Sequence, residues 1–425
     1  MRTVALHSLG CKVNAYETEG IQQKLQEKGY LIVPFDSRAD IYIVNTCSVT
    51  NIADHKSRQM LHRAKKLNPE ALVVAIGCYV ETGREVLEND PDVDLVIGND
   101  RKMKLPEIIE DVSTEQSPRH IVSTEPSPRH IPLTRTRSFI KIQDGCNRFC
   151  TYCVIPYARG RVRSREIPDI VSEVRDHVAA GCKEIVLTGI HISSFGTDRD
   201  GEEMIPLLKE LNTIDGLRRI RLGSLEPAYV TPEWVGQAKE IDKLCAHFHL
   251  SMQSGSETVL KRMNRHYTPE EYYEKVCMLR DAFDDPAITT DTIVGFPGET
   301  EEEYEETYDF VRKVGFYELH VFKYSRRDGT PAARMPDQIP EREKHARSEK
   351  LISLGKELSL AYRRRRIGTT AEVLTEEVRD INGRKYMCGF TPEYICAAVS
   401  PENPSNTLIT GVLDELLTDE TVTLK

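Results

Sequence analysis

From Arg2 to about residue 335, short apolar runs alternate with longer helical stretches. Few folds accommodate that rhythm besides parallel sheets clad in helices. In the first 110 residues, Arg2–Leu9, Asp40–Asn45, Leu72–Ile76 and Asp94–Ile97 read as strands. Ala15–Lys28 and Asn51–Leu67 read as helices, with Asn51 as the cap of the second. Three of the strands are followed closely by a cysteine: Cys11 in Leu-Gly-Cys-Lys-Val-Asn, Cys47 in Ile-Val-Asn-Thr-Cys, and Cys78 in Ala-Ile-Gly-Cys-Tyr. Ligands of an open parallel sheet bind outside the carboxyl ends of its strands, so the three thiols are expected at one edge. One buried free cysteine is usually a small hydrophobe. Three at equivalent strand ends point instead to a three-cysteine iron–sulfur site, and Gly10 and Gly77 would let the backbone approach it closely.

A second set lies in Asp144-Gly-Cys-Asn-Arg-Phe-Cys-Thr-Tyr-Cys153, a C-x3-C-x2-C run of Cys146, Cys150 and Cys153. Thiolates are soft ligands that select zinc, copper(I) or iron–sulfur. A cube usually takes four cysteines, and three leave one iron open to a substrate or cofactor. The alternative is a structural zinc site completed by one further Cys or His. Against it, no C-x2-C or H-x3-H pair follows downstream, and Phe149, Tyr152 and Tyr157 surround the thiols as they would a shielded redox centre.

Beyond this run, Ser138–Ile142, Glu184–Leu187, Arg219–Leu222, His247–Leu250, Ala287–Ile293 and Glu318–Phe322 are strand candidates with helical stretches between them. Six such units suit a partial barrel with its chemistry at the carboxyl ends of the strands. Thr188 and Gly189, Ser224 and Glu226, and Gln253 and Ser254 fall at those ends. Asp291, inside an apolar strand, needs a hydrogen-bond partner. The six glutamates from Glu299 to Glu306 suit a helix N-terminus and no catalytic role.

Two flanking regions complete the chain. Ser113-Thr-Glu-Gln-Ser-Pro-Arg-His-Ile-Val and Ser123-Thr-Glu-Pro-Ser-Pro-Arg-His-Ile-Pro form a tandem duplication, and residues 112–134 read as a flexible linker. A long helix over about 340–366 ends in Arg363-Arg-Arg-Arg366. After it, five short β-like runs separated by Asn-Gly and Pro-rich turns read as a small β-barrel over 367–425. Domain boundaries are thus expected at 1–111, 135–366 and 367–425.

A net charge of −10 argues against a protein that coats nucleic acid non-specifically. Eight basic residues between Arg135 and Arg165, against Asp144 alone, nevertheless suit a polyanionic substrate at the cysteine run. The N-terminus reads as a strand, not a signal peptide, and no apolar run is long enough to span a membrane. Eleven cysteines without an export signal point to the reducing cytoplasm. Cys182, Cys245, Cys277, Cys388 and Cys396 lack ligand-like spacing and read as structural.

The string from Lys141 to Arg165, with an aromatic just before the second cysteine of the run, resembles the methylthiotransferase branch of the radical S-adenosylmethionine (SAM) enzymes. Gly-Cys-Lys-Val-Asn, Asn-Thr-Cys and Gly-Cys-Tyr match the auxiliary-cluster motifs of that family. Leu187-Thr-Gly-Ile-His191 departs from the Gly-Gly-Glu pattern of many radical SAM enzymes. With Glu318-Leu-His-Val-Phe-Lys-Tyr-Ser325 and Gly-Thr-Pro-Ala-Ala-Arg-Met335, it matches the threonylcarbamoyladenosine tRNA subfamily.

The resemblance implies an N-terminal methylthiotransferase domain, a central radical SAM barrel and a C-terminal TRAM-like RNA-binding barrel. It implies two [4Fe-4S] clusters, on Cys146/Cys150/Cys153 and on Cys11/Cys47/Cys78, and two SAM molecules per turnover. Thr188, Gly189, Ser224, Glu226, Gln253 and Ser254 would contact SAM. Arg159, Arg161, Arg163, Arg262, Arg265, Tyr267 and Arg363, Arg364, Arg365 and Arg366 would contact a tRNA anticodon stem-loop. An electron donor such as flavodoxin or ferredoxin is implied as well. The implied reaction replaces adenine C2–H by a methylthio group in the threonylcarbamoyladenosine 3′ of the anticodon. Sister readings are methylthiolation of an isopentenylated adenosine or of a ribosomal-protein aspartate. A reading of another class is a non-catalytic iron–sulfur RNA-binding protein.

Overall fold

The computed structural model describes residues 2–113, 136–199 and 204–425. The duplicated segment falls almost wholly outside them. The chain divides into two compact units whose boundaries do not follow chain order.

The first unit comprises the described residues of Met1–Ile131, with Asp144–Arg163 and Ser325–Ala333. Its sheet holds β1 (Thr3–Ser8), β2 (Leu31–Ile32), β3 (Ile41–Thr46), β4 (Leu72–Gly77) and β5 (Leu95–Val96). All are parallel, in the order β2-β1-β3-β4-β5. Every residue of the central β3 is buried, as a strand covered on both faces must be. Alternate side chains feed two cores: Ala5, Tyr42, Val44, Val73 and Ala75 on one face, and Val4, Ile41, Ile43, Val74 and Ile76 on the other.

The alternation read from the sequence is realised, with the short edge strand β2 in addition. The first helix, Lys12–Glu27, starts immediately after Cys11. The second, Asn51–Leu67, is capped by Thr50 and not by Asn51. Thr50 is extended and its Oγ1 accepts the Ala53 N–H at 3.1 Å, whereas Asn51 is already helical and accepts from Arg327 at 2.7 Å.

The second unit contains β6 (Arg137–Lys141), β7 (Glu184–Thr188), β8 (Arg219–Leu222), β9 (His247–His249), β10 (Ala287–Val294) and β11 (Glu318–Lys323). They form two parallel three-stranded sheets, β6-β7-β8 and β9-β10-β11. Parallel bridges Ile220–Leu244 and Leu225–Leu250 join the two, so six strands follow one another in chain order as a partial barrel. A large apolar core from strands and surrounding helices packs its outer side. Helix Glu341–Arg366 covers β11 so closely that a Cβ on Gly355 would stand 3.2 Å from Leu319.

The chain ends in β12 (Thr370–Ile381), β13 (Arg384–Phe390), β14 (Cys396–Val399), β15 (Leu408–Leu416) and β16 (Thr421–Leu424). These close into a barrel in the order β12-β13-β14-β16-β15. Asn382-Gly383, both with positive φ (54° and 80°), makes the tight turn between β12 and β13. No helix among the described residues is long and apolar enough to cross a membrane.

Candidate active site

Both three-cysteine sets lie in the first unit. Cys11 and Cys47 stand just beyond β1 and β3, and Cys78 directly follows β4, opening helix Cys78–Thr82. The parallel register carries all three to one edge. Cys47 and Cys78 are buried and Cys11 is exposed. Burial, with smaller contributions from nearby Cys78 and Cys11, pushes the Cys47 thiol up to about 11.

Gly10 explains the closeness. At φ +91° it lies in the region that favours glycine, and a Cβ there would sit 2.5 Å from Cys47 Sγ. Gly77 has a different role from the one read in the sequence. A Cβ on it would meet Asn45 and the Thr46 backbone at 2.4 Å, so it lets the turn after β4 pack on β3. The donor set of three convergent thiols fits a soft iron–sulfur cluster.

Cys146, Cys150 and Cys153 lie in one tight loop. Gly145, at φ +70°, sits where a Cβ would be 2.0 Å from the Arg161 carbonyl. Cys146 N–H donates to Gly160 O at 3.1 Å, and Cys153 N–H to Cys150 O at 3.0 Å. Phe149 takes a positive φ of 49°. Its ring meets Tyr157 edge-on at 5.8 Å, and the Arg161 guanidinium lies 4.6 Å from its centroid. Ala332 N–H donates to Thr151 O at 2.9 Å, so the Gly-Thr-Pro-Ala-Ala string braces the loop.

Arg159 requires a correction. It was expected on a phosphate, but it is only 3% exposed and fully engaged. Nε donates to Cys78 Sγ at 3.2 Å, Nη1 to Asp144 at 3.0 Å and Glu17 at 3.2 Å, and Nη2 to Asn14 at 2.6 Å and Glu17 at 3.1 Å. Burial works against its charge, but Glu17, Cys78 and Asp144 outweigh burial and hold it well above the ordinary value. Lys102 Nζ joins the network at 2.5 Å from Glu17. Arg159 is therefore a positioning residue for Cys78. Arg327, also buried, binds Ser48, Asn51 and Asp54. Sequence reasoning missed Glu17, Lys102 and Arg327. Asn14 was inside a quoted motif without a role, and Lys102 carried no local signal.

In the second unit, Thr188, Gly189, Ser224, Glu226 and Gln253 do gather at the carboxyl ends of the strands. Thr188 is buried and Ser224 exposed. Gly189 is held against Gln143, where a Cβ would lie 2.8 Å from Oε1. Gln253, at φ +67°, extends the sheet through Asp291 O and Ile293 N. Ser254 is corrected: it is 1% exposed and its Oγ lies 3.1 Å from Thr307 Oγ1, turned into the helix layer.

Arg265 and Tyr267, expected to contact the tRNA, are buried. Arg265 Nη2 lies 2.9 Å from Glu226 Oε1, and Tyr267 O–H donates to Met252 O at 2.5 Å and to Ser251 O at 3.0 Å. His191 Nε2 is 3.4 Å from Glu226 Oε2. Arg265 and His191 thus orient Glu226, and Tyr267 is held in the core.

Arg262 is held by Glu303 at 2.6 Å and 2.9 Å. The four-arginine run is split by helical periodicity. Arg363 and Arg366 are buried, Arg366 on Glu393 at 3.0 Å. Arg365 pairs with Asp285 at 2.8 Å, while Arg364 is exposed. Arg161 and Arg163 are exposed in the first unit, Arg163 standing 3.7 Å from Asp144.

Comparison with known proteins agrees with this geometry. Residues 140–311 match the model of the Radical SAM superfamily, and residues 3–98 that of Uncharacterized protein family UPF0004. The threonylcarbamoyladenosine tRNA methylthiotransferase MtaB of Bacillus subtilis is 43% identical, covering 93% of this chain and 90% of the relative. The tRNA-2-methylthio-N(6)-dimethylallyladenosine synthase of Moorella thermoacetica is 38% identical over 88% of this chain and 87% of its own length. Among solved structures, the radical SAM methyltransferase TsrM of Kitasatospora setae, with cobalamin and a [4Fe-4S] cluster bound, superposes with a TM-score of 0.57. It does so at 17% identity, over 78% of this chain and 77% of that one. At that identity the likeness concerns the fold.

Proposed function

The chain belongs to the radical SAM tRNA methylthiotransferase family, and on that premise we propose that it converts N6-threonylcarbamoyladenosine at position 37, 3′ of the anticodon, to its 2-methylthio derivative. The observation that carries the reading is the presence of two separate three-thiol sets, one in a loop and one across three strand ends.

Cys146, Cys150 and Cys153 would hold one [4Fe-4S] cluster, and Cys11, Cys47 and Cys78 the other. When bound, these groups and two SAM molecules supply the radical that removes an unactivated C2–H and the methylated sulfur that replaces it. The chain's own part is placement. Arg159 fixes Cys78, Gly10 admits Cys47 beside Cys11, and Phe149 packs edge-on against Tyr157 within the cysteine loop. Thr188, Gly189, Ser224, Glu226 and Gln253 are the proposed SAM contacts, with Arg265 and His191 orienting Glu226. Arg161, Arg163 and Arg364 remain as exposed candidates for phosphate, and the C-terminal barrel is read as a TRAM-like RNA-binding module. A flavodoxin or ferredoxin in the cytoplasm is the proposed reductant.

The test is anaerobic reconstitution with iron and sulfide, followed by SAM, reductant and tRNA bearing threonylcarbamoyladenosine. Nucleosides are then read by mass spectrometry. Gain of one methylthio group in place of hydrogen, with 5′-deoxyadenosine formed, is the expected result. Methylthiolation of isopentenylated tRNA alone moves the protein to the sister activity. Two intact clusters without 5′-deoxyadenosine would leave an RNA-binding module.

A further inference from the structure

Three residues unused so far meet on the concave face of the sheet β9-β10-β11. One side-chain donor atom from each of His249, Asp291 and His320 lies within 4.8 Å of the other two. Each comes from a different strand, and Asp291 and His320 are register partners. His249 Nδ1 lies 3.0 Å from Thr289 Oγ1, which aims Nε2 at Asp291 Oδ2, 3.4 Å away. Nε2 is buried and makes no hydrogen bond of regular geometry. The His249 and His320 rings stack at 5.9 Å with 26° between their planes.

The orientation of β11 is unambiguous. Leu319 and Val321 pack into the outer core beneath the helices, so His320 and Phe322 face the other way. His320 is exposed, and Phe322 is 44% exposed, an unusual position for a phenylalanine. Phe322 is the nearer of the two to the carboxyl end, and His320 lies two residues deeper, about 7 Å along the strand.

We propose that His249, Asp291 and His320 form the specificity pocket for the threonylcarbamoyl group of the substrate base, with adenine stacked on Phe322. This rests on the threonylcarbamoyladenosine reading above. An adenine ring on Phe322 keeps C2 toward the carboxyl end, where barrel chemistry occurs, and sends its N6 substituent inward to the triad. That substituent carries a carboxylate, which accepts from imidazole N–H, and urea N–H and hydroxyl groups, which donate to Asp291. A mixed set of two imidazoles and one carboxylate matches such an amino-acid-like group. A dimethylallyl group would bury the same three residues with nothing to bond, and a site built for hydrogen bonds rejects a substrate lacking them strongly. The relatives act on bases of both kinds by name, so this pocket is where the choice would be made.

The experiment uses the reconstituted holoenzyme and anticodon stem-loop RNA carrying threonylcarbamoyladenosine, its carboxyl methyl ester, or isopentenyladenosine. Wild-type kcat/KM is expected to fall roughly 10- to 100-fold for the ester, as loss of charge-assisted hydrogen bonds dictates. H320F is expected to erase the acid–ester difference and to gain relative rate on isopentenyladenosine, with H320Q intermediate. The ester comparison needs no variant, so misfolding of H320F cannot mask the outcome. Equal turnover of acid and ester by the wild type overturns the pocket while leaving the functional reading intact. Turnover of isopentenyladenosine alone overturns that reading first. One equivalent of a non-iron divalent metal in the wild type, lost in H320F, would make the triad a metal site and also overturn the proposal.

Discussion

The two cysteine sets of the first unit bring three thiols together by opposite routes. Cys146, Cys150 and Cys153 are neighbours because they are close in sequence, and a glycine turn and loop hydrogen bonds complete the geometry. Cys11, Cys47 and Cys78 are 36 and 31 residues apart and become neighbours only through the register of β1, β3 and β4. The second set is braced through Arg159 by a network of Glu17, Asn14, Lys102 and the half-buried Asp144. A local site tolerates change elsewhere in the fold; a site assembled from three strand ends depends on everything that holds those ends together.

Substitutions should separate the two. The largest effect is expected from C146A, which takes 5′-deoxyadenosine formation to the assay background. C47A should keep SAM cleavage and lose methylthiolation. Full turnover by C47A would show that the Cys11/Cys47/Cys78 set takes no part in delivering sulfur.

Next comes G10A. Its Cβ would overlap Cys47 Sγ, so reconstituted iron should fall to one cluster per chain, read by iron and sulfide analysis. Retention of two clusters would show that the Cys47 side yields.

R159L should cost about 1–3 kcal/mol, because Asn14 and the part-buried Asp144 lose their guanidinium and Glu17 keeps only Lys102. Denaturant unfolding measures the loss. The spectroscopic signature of the Cys78-linked cluster should change, while that of the Cys146 loop should not.

A smaller effect concerns the acid limb. Arg262 is the largest influence holding Glu303 down at about 2 from an ordinary 4.5. A depressed carboxylate stabilises the folded chain fully above about pH 5, and the contribution drains away between pH 4.5 and 2. The stability difference between wild type and E303Q should shrink across that window. A difference independent of pH would remove this pair from the acid response.

The smallest effect separates exposed from buried arginines. R161Q and R163Q should each lower the log–log salt slope of tRNA binding by roughly 0.7–0.9. R262Q and R366Q should leave it unchanged.

Much of this protein was legible in its residues. The alternation of strands and helices pointed to the parallel sheets of both units because periodicity is a local property of the chain. Asn382-Gly383 marked a hairpin because its backbone tolerates positive φ. The spacing of the cysteine run pointed to a soft metal, and the family resemblance narrowed that to an iron–sulfur cluster. Basic residues were harder to read, since a guanidinium looks the same whether it meets phosphate or a buried carboxylate. Arg159, Arg262, Arg265, Arg363 and Arg366 were all expected on RNA, and each is engaged within its own unit instead.

The sequence by itself determined the fold class and the family resemblance, and it singled out six of the eleven cysteines as candidates, because motifs and periodicity are local patterns. Only the tertiary structure decided which charges are spent inside the protein, and that His249, Asp291 and His320 share one face. Burial and register are properties of strands brought together from distant parts of the chain, and no local window contains them.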